Sequence, residues 1–244
     1  MLGFGDPVAF LVGSVFLIPA ILIAIPAHEL GHGIAALLMG DPSPRNRGYL
    51  VPRPQLFLNL YGVITVFLAN VGFGTPIPVN EYRLKGIGRK VVYALAGPAT
   101  NLVLAVVFGL LVRYLVLQSG AVVPVFDTRI HALLDYVGTA CYAIFFLNLA
   151  MFAFQLLPVP GLDGWRVVEG LFRNRFPRFF FNVAGHTQQI WLVAVAIVFF
   201  GPILLRFSVL GAVVGIFFEP ASLAILGTCA GYTSLSPCPV SAHF

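Results

Sequence analysis

The stretch Ile25-Pro26-Ala27-His28-Glu29-Leu30-Gly31-His32 lies inside a long apolar run, Val8 to Met39, that carries no other charge or histidine. His28 and His32 are four residues apart, so on a helix they share one face and can grip one metal ion. Glu29 follows the first histidine and can reach a water at that ion. This is the H-E-x-x-H pattern of zinc hydrolases, two imidazole ligands with a carboxylate general base. Five residues with two wildcards recur by chance, but the setting sharpens the signal. A carboxylate in a membrane-length apolar segment costs about 2.5–3.5 kcal/mol on insertion scales unless it has partners. The bland alternative is a satisfied polar cluster that joins helices.

Composition supports that setting. The chain of 244 residues is 59% hydrophobic and 9% charged, with mean hydropathy +0.95. Ordinary soluble domains carry about 25% charged residues, so the chain reads as an integral membrane protein. Its apolar runs are continuous rather than alternating, which favours helices over strands. The net charge of +5 is read as topology before nucleic-acid binding, and no nucleic-acid partner is expected. Cys141, Cys229 and Cys238 lack metal-type spacing, and their odd number argues against a disulfide framework. Met1 to Pro7 lacks the basic start of a cleavable signal peptide, so the first run is expected to be a retained span.

At about 1.5 Å per residue, Val8 to Met39 exceeds the ~30 Å hydrocarbon core. Pro19 and Pro26 are expected to kink or break it, and Gly40-Asp41-Pro42 to end it. Residues 55–73 are apolar with Asn59, Tyr61, Thr65 and Asn70 interspersed, and the Gly/Pro-rich Gly72 to Asn80 cannot be helical. Residues 91–117 form a span that opens with Gly97-Pro98-Ala99-Thr100-Asn101, small residues for close helix approach and an amide that can bond across helices. Residues 118–135 read as a loop. The span 136–157 ends in Leu157-Pro158-Val159-Pro160-Gly161-Leu162-Asp163-Gly164. One or two spans follow in 179–218, with a break at Gly201-Pro202. Glu219-Pro220 is expected to interrupt the chain before a last apolar stretch, and 231–244 to be a disordered tail. The expected fold is an all-α polytopic membrane protein with about four to six transmembrane helices and a re-entrant or hairpin-like segment around 55–80. It forms one domain over residues 1–230, with a catalytic core at 8–178.

A catalytic zinc takes three protein ligands, and acidic residues here are few. Asp163 alone ends a strong span inside a Pro/Gly-broken turn, where a carboxylate can point back into the bundle. If 55–73 crossed the membrane, the basic segments 45–53, 81–90 and 166–178 could not share a side. If it dips in and returns, they do, which places eleven of the 14 Lys and Arg together, as the positive-inside rule prefers. Asp163 then lies at the same face as the histidine helix. Charge bias and metal geometry favour the same topology, and a re-entrant segment is tolerated where protein or water satisfies its backbone.

At this point the chain resembles the site-2 protease family of intramembrane zinc metalloproteases. The resemblance covers roughly residues 20 to 170. It rests on His28-Glu29-Leu30-Gly31-His32, then Gly72-Phe73-Gly74 with Pro76-Ile77-Pro78-Val79-Asn80, then Ala96 to Asn101, and then Asn148 through Leu156-Leu157-Pro158-Val159-Pro160-Gly161-Leu162-Asp163-Gly164. It implies that His28, His32 and Asp163 bind one Zn2+, that Glu29 activates the water, and that the cut falls in or near a transmembrane segment of another protein. The chain looks like a compact member, without a PDZ-like or nucleotide-sensing domain. It departs from the family in having Gln155 where an Asn is common, eight residues before the ligand Asp, and Gly161 in place of a common Pro.

On this reading Glu29 takes the water's proton and later returns it to the leaving amine. The re-entrant segment offers strand-like pairing to an unwound substrate, and Asn101, Asn148 and Gln155 are the candidates for holding substrate amides or the oxyanion. For Asn101, helix–helix bonding is an equal alternative. The expected partners are a transmembrane protein substrate and the bilayer, in the cell membrane, with the site opening toward the cytoplasm. Two rivals remain: a metal transporter, which would call for repeats or several membrane acids, and a silent substrate-binding relative, which would not need Glu29.

Overall fold

The computed structural model of the chain describes residues 7–51, 53–80, 82–119, 133–191, 193–194 and 209–226. The first apolar run is a single helix, α1 (Pro7–Leu38), continuous through Pro19 and Pro26. Of the kink or break expected at these prolines, the break is not there. Each proline removes one ladder bond, a local loss that neighbouring helices can absorb in a membrane bundle. Leu11, Val15, Ile18 and Leu22 recur at helical spacing on the exposed side of α1, while Leu17, Ile21, Ala24, Ile25, His28 and His32 are buried on the other. The helix thus has a lipid-type face and an interior face, and the polar motif falls on the interior one.

After short turns α2 (Ser43–Asn46) and α3 (Pro54–Phe57) comes α4 (Leu60–Ala69). Asn59 starts α4 by accepting from the amides of Tyr61 and Gly62 at 2.9 and 3.4 Å, an N-cap. Ten residues rise only about 15 Å, half the hydrocarbon core. Asn70 then ends the helix in the left-handed conformation, φ 56°, and the chain turns back. Leu58 and Gly74 form an antiparallel bridge, and the Thr75 amide donates to the Phe57 carbonyl at 2.7 Å. The return lies so close that a Cβ on Gly62 would meet the Phe73 carbonyl oxygen. Residues 55–80 therefore go out and come back, as the charge bias required.

Two long helices complete the centre, α5 (Ile87–Ser119) and α6 (Leu133–Gln155). Among the described residues, 11–38, 87–115 and 136–155 are long and apolar enough to cross a membrane. Leu17, Ala20, Ile21, Ala24 and Ile25 of α1 pack on Ile144, Leu147 and Met151 of α6, with Val66 of α4 closing the cluster. Then come the amphipathic α7 (Asp163–Phe172) and α8 (Pro177–Gly185), followed by α9 (Val209–Leu226). Ile225 and Leu226 of α9 join Phe145 and Leu149 of α6 and Ala105 and Val112 of α5 in a second cluster. Helix α9 runs on through Glu219-Pro220, so the interruption expected there does not occur. Most of the 118–135 loop, the Gly201-Pro202 break and the 231–244 tail lie outside the described residues.

Candidate metal centre

His28, Glu29 and His32 sit in the second half of α1, facing α5, at 2%, 6% and 3% exposure. Each imidazole is held at Nδ1. His32 Nδ1 lies 2.8 Å from the backbone oxygen of Tyr93, a group that can only accept, so this nitrogen carries the hydrogen. His28 Nδ1 lies 2.6 Å from Asn101 Oδ1. The Asn101 amide donates to the Ala24 carbonyl at 3.1 Å and to Asn148 Oδ1 at 2.8 Å. Both amide hydrogens are used, so Asn101 Oδ1 must accept from His28. Asn148 is fixed in turn by donating to the Ile144 carbonyl at 2.8 Å.

Both Nε2 atoms are thus left as bare lone pairs. They lie 3.2 Å apart, and each is 3.0 Å from Asp163 Oδ2. Three buried acceptors with no hydrogen among them repel one another unless a cation lies between them. Bonds of about 2.0–2.1 Å at tetrahedral angles would set such donor atoms about 3.3 Å apart, close to what is seen. Two imidazoles and one carboxylate are also a catalytic-zinc donor set. These three form the one His/Cys/Asp/Glu cluster of metal-binding geometry among the described residues. Gly97 on α5 gives the centre its room. A Cβ there would collide with His32 Nε2 and lie 2.8 Å from His28 Nε2. The residues fit the metal.

Asp163 arrives from 131 residues beyond His32. Pro158 and Pro160 stop α6 from continuing. Gly161 turns the chain at φ +98°, a conformation closed to proline, whose ring holds φ near about −65°. A Cβ on Gly161 would lie 2.6 Å from Trp191 Nε1, and one on Gly164 would strike the Leu156 carbonyl. The turn is therefore built on glycine at both points. It sets Asp163 as the first residue of α7.

Glu29 faces the returning segment. Its Oε2 accepts from the Ile77 amide at 3.2 Å. Pro76 and Pro78 have no N–H, so Ile77 is the sole donor of that triplet. Gly74 lies against the same carboxylate, since a Cβ there would be 2.9 Å from Glu29 Oε1. Farther along, Asp41 fixes the segment's far end. Its Oδ2 accepts from the Asn80 amide at 2.6 Å, and its Oδ1 from the Ser43 amide and hydroxyl at 3.0 and 2.6 Å. Two carboxylates of the α1 region thus hold residues 77–80 alongside the centre.

Of the residues expected at the site, His28, His32, Asp163 and Glu29 come together. Asn101 and Asn148 also lie there, but their hydrogen bonds run to His28 and to the helix backbones. Gln155 is buried at the last residue of α6, outside that chain of bonds. Tyr93, Ile77, Gly97 and Asp41 were not singled out. The first two act through backbone atoms, which leave no side-chain signal. Gly97 was legible only as a small packing residue, and Asp41 only as a helix end.

A helical membrane bundle with an H-E-x-x-H helix and a converging aspartate defines a membrane metallopeptidase. The model of peptidase family M50 matches residues 16–201. The chain belongs to that family, the site-2 proteases. It is 32% identical over 162 residues to "Putative zinc metalloprotease YwhC" of Bacillus subtilis, covering 64% of this chain and 68% of that protein. It is 32% identical over 206 residues to "Putative zinc metalloprotease Rip2" of Mycobacterium tuberculosis, covering 82% and 72%. The Rip2 of Mycolicibacterium smegmatis is 31% identical over 169 residues, covering 67% and 60%. No solved structure matches the chain.

Proposed function

We propose that this membrane metallopeptidase holds one zinc ion on His28, His32 and Asp163 and hydrolyses a peptide bond in or near a transmembrane segment of another membrane protein, in regulated intramembrane proteolysis. The observation that carries the reading is the meeting of three buried, hydrogen-free acceptor atoms beside the Glu29 carboxylate. Bound zinc supplies a Lewis acid that polarises the scissile carbonyl and acidifies water. Glu29 is the general base and then the acid: it takes the water's proton and passes it to the leaving amine. The Ile77 amide holds Oε2 and so orients the carboxylate. Asn101 and Tyr93 keep both histidines in the tautomer that presents Nε2, and Asn148 steadies Asn101.

Substrate must unwind, because a helical peptide bond is enclosed by its own hydrogen bonds. Residues 75–80 lie beside the centre outside any helix, but the amides of Thr75, Ile77 and Asn80 are spoken for. Pro76 and Pro78 have none. That leaves Val79 as the one N–H of the stretch not so engaged, so a substrate strand laid here would meet mainly carbonyl acceptors and its own amides would make most of the pairing. Gln155 is the candidate for a direct substrate contact, while Asn101 and Asn148 serve through His28. The basic segments that share one side support a cell-membrane protein whose centre is reached from the cytoplasm.

The test is cleavage of a panel of single-span membrane proteins in detergent and then in liposomes, with zinc counted. Wild type should carry one zinc per chain and cleave. Glu29→Gln should keep the zinc and lose about 10²–10⁴ in rate. Full activity in Glu29→Gln, or a wild-type protein that binds no zinc, would overturn the reading.

A further inference from the structure

The two oxygens of Asp163 have different neighbours. Oδ2 lies 3.0 Å from the Nε2 of each histidine. Oδ1 pairs with Arg166, one turn further along α7, whose Nη1 is 3.7 Å away. At that distance the contact is an attraction of opposite charges rather than a full hydrogen bond. It differs from an ordinary surface pair, because the Asp163 side chain is only 7% exposed while that of Arg166 is 41% exposed. One partner lies in the interior, where salt screens little.

Arg166 is also seated from outside its own helix. Its guanidinium carbon lies 5.9 Å from the centre of the Tyr93 ring, within the range of a cation–π contact. Tyr93 belongs to α5, and its backbone oxygen is the partner of His32 Nδ1 at 2.8 Å. One residue of α5 thus steadies a histidine donor with its backbone and the neighbour of the aspartate donor with its ring. The placement matters because a carboxylate can grip a metal ion with one oxygen or with two. A catalytic centre has three protein donors and leaves its fourth place to water. An aspartate that grips with both oxygens takes that place.

We propose that Arg166 is a positioning residue that restricts Asp163 to one metal-binding oxygen. The guanidinium draws Oδ1 away from the ion, leaves Oδ2 as the donor and so keeps a coordination place open. The inference rests on the reading of His28, His32 and Asp163 as the zinc donors, and adds to it a residue that touches neither zinc nor substrate. A helix ion pair that merely supports the fold predicts different results.

Arg166→Gln removes the charge, and Arg166→Lys restores a charge without the planar fork. Wild type and both variants are prepared metal-free and loaded with Zn2+ or Co2+. Chelator competition gives affinity, the visible absorption of the Co2+ form gives coordination, and the melting temperature of the metal-free protein reports folding. Four-coordinate Co2+ absorbs much more strongly than five-coordinate Co2+, so a second oxygen on the ion dims the bands. Arg166→Gln should show dimmed bands. It should bind Zn2+ at least as tightly as wild type, because a nearby cation is lost and an oxygen donor gained. Its cleavage of a membrane-protein substrate should fall about 10–100-fold. Arg166→Lys should lie between the two. An unchanged Co2+ spectrum in Arg166→Gln overturns the proposal. So does weaker Zn2+ binding, with or without a lower melting temperature, which is what a supporting ion pair predicts. A wild-type protein that binds neither ion overturns the zinc reading as well, whereas failure in the variant alone leaves that reading standing.

Discussion

His28 Nδ1 and Asn101 Oδ1 meet at 2.6 Å, on two different helices and 73 residues apart in the chain. The contact fixes which histidine nitrogen is free for metal, so the register of α5 against α1 is also a setting of the metal centre. Asn101→Ala would leave the imidazole free to rotate and to change tautomer. Loss of such a partner typically weakens metal affinity about 10–100-fold. Competition against a chromogenic chelator checks this, and unchanged affinity would show that the bond is incidental.

Gly97 predicts a different failure. In Gly97→Ala the new methyl group points at both Nε2 atoms, so zinc is excluded while the helix itself, now richer in alanine, should hold. Elemental analysis should find little metal, and circular dichroism should find helix content unchanged. Full zinc occupancy would mean that α5 shifts away cheaply.

Asp41 predicts a pH dependence. Its burial pushes the carboxyl's pKa up, but the Ser43 hydroxyl, the Asn80 and Ser43 amides and the charge of Arg83 outweigh that and hold it below the ordinary carboxylate value. A group whose folded pKa is depressed contributes in full above its unfolded pKa, about 4. That contribution fades as pH falls through the folded value. Wild type should therefore lose melting temperature below about pH 4, with part of the loss absent in Asp41→Asn. At neutral pH the variant should be less stable by about 1–3 kcal/mol. Identical acid profiles for the two proteins would remove Asp41 from this role.

Gly161 predicts the consequence of a backbone that proline cannot adopt. Gly161→Pro should undo the turn that delivers Asp163, and zinc binding should fall with it. Gly161→Ala is milder, with strain of about 1–3 kcal/mol at positive φ plus contact with Trp191. Zinc titrations of both variants should rank them wild type, Ala, Pro. Tight zinc binding by the proline variant would show that the turn has a second conformation.

The amino-acid sequence by itself pointed to the solvent, the class and three of the four side chains that meet at the candidate centre. Few charges and continuous apolar runs leave no route to a soluble core, and four-residue spacing on a helix is a local property, so His28, Glu29 and His32 needed no tertiary information. Asp163 was within reach because topology is written in charge: only a returning 55–80 segment puts the basic stretches on one side. What the tertiary structure alone decided was how these groups are held. Asn101 could have faced substrate or another helix, and only the register of α5 on α1 turned it to His28. The Tyr93 carbonyl and the Ile77 amide belong to the backbone, which every residue shares, so no residue type points to them. The prolines at 19, 26 and 220 carry a local cost that reads as a break. Whether a helix bears that cost depends on the neighbours packed around it, which exist only once the chain has folded.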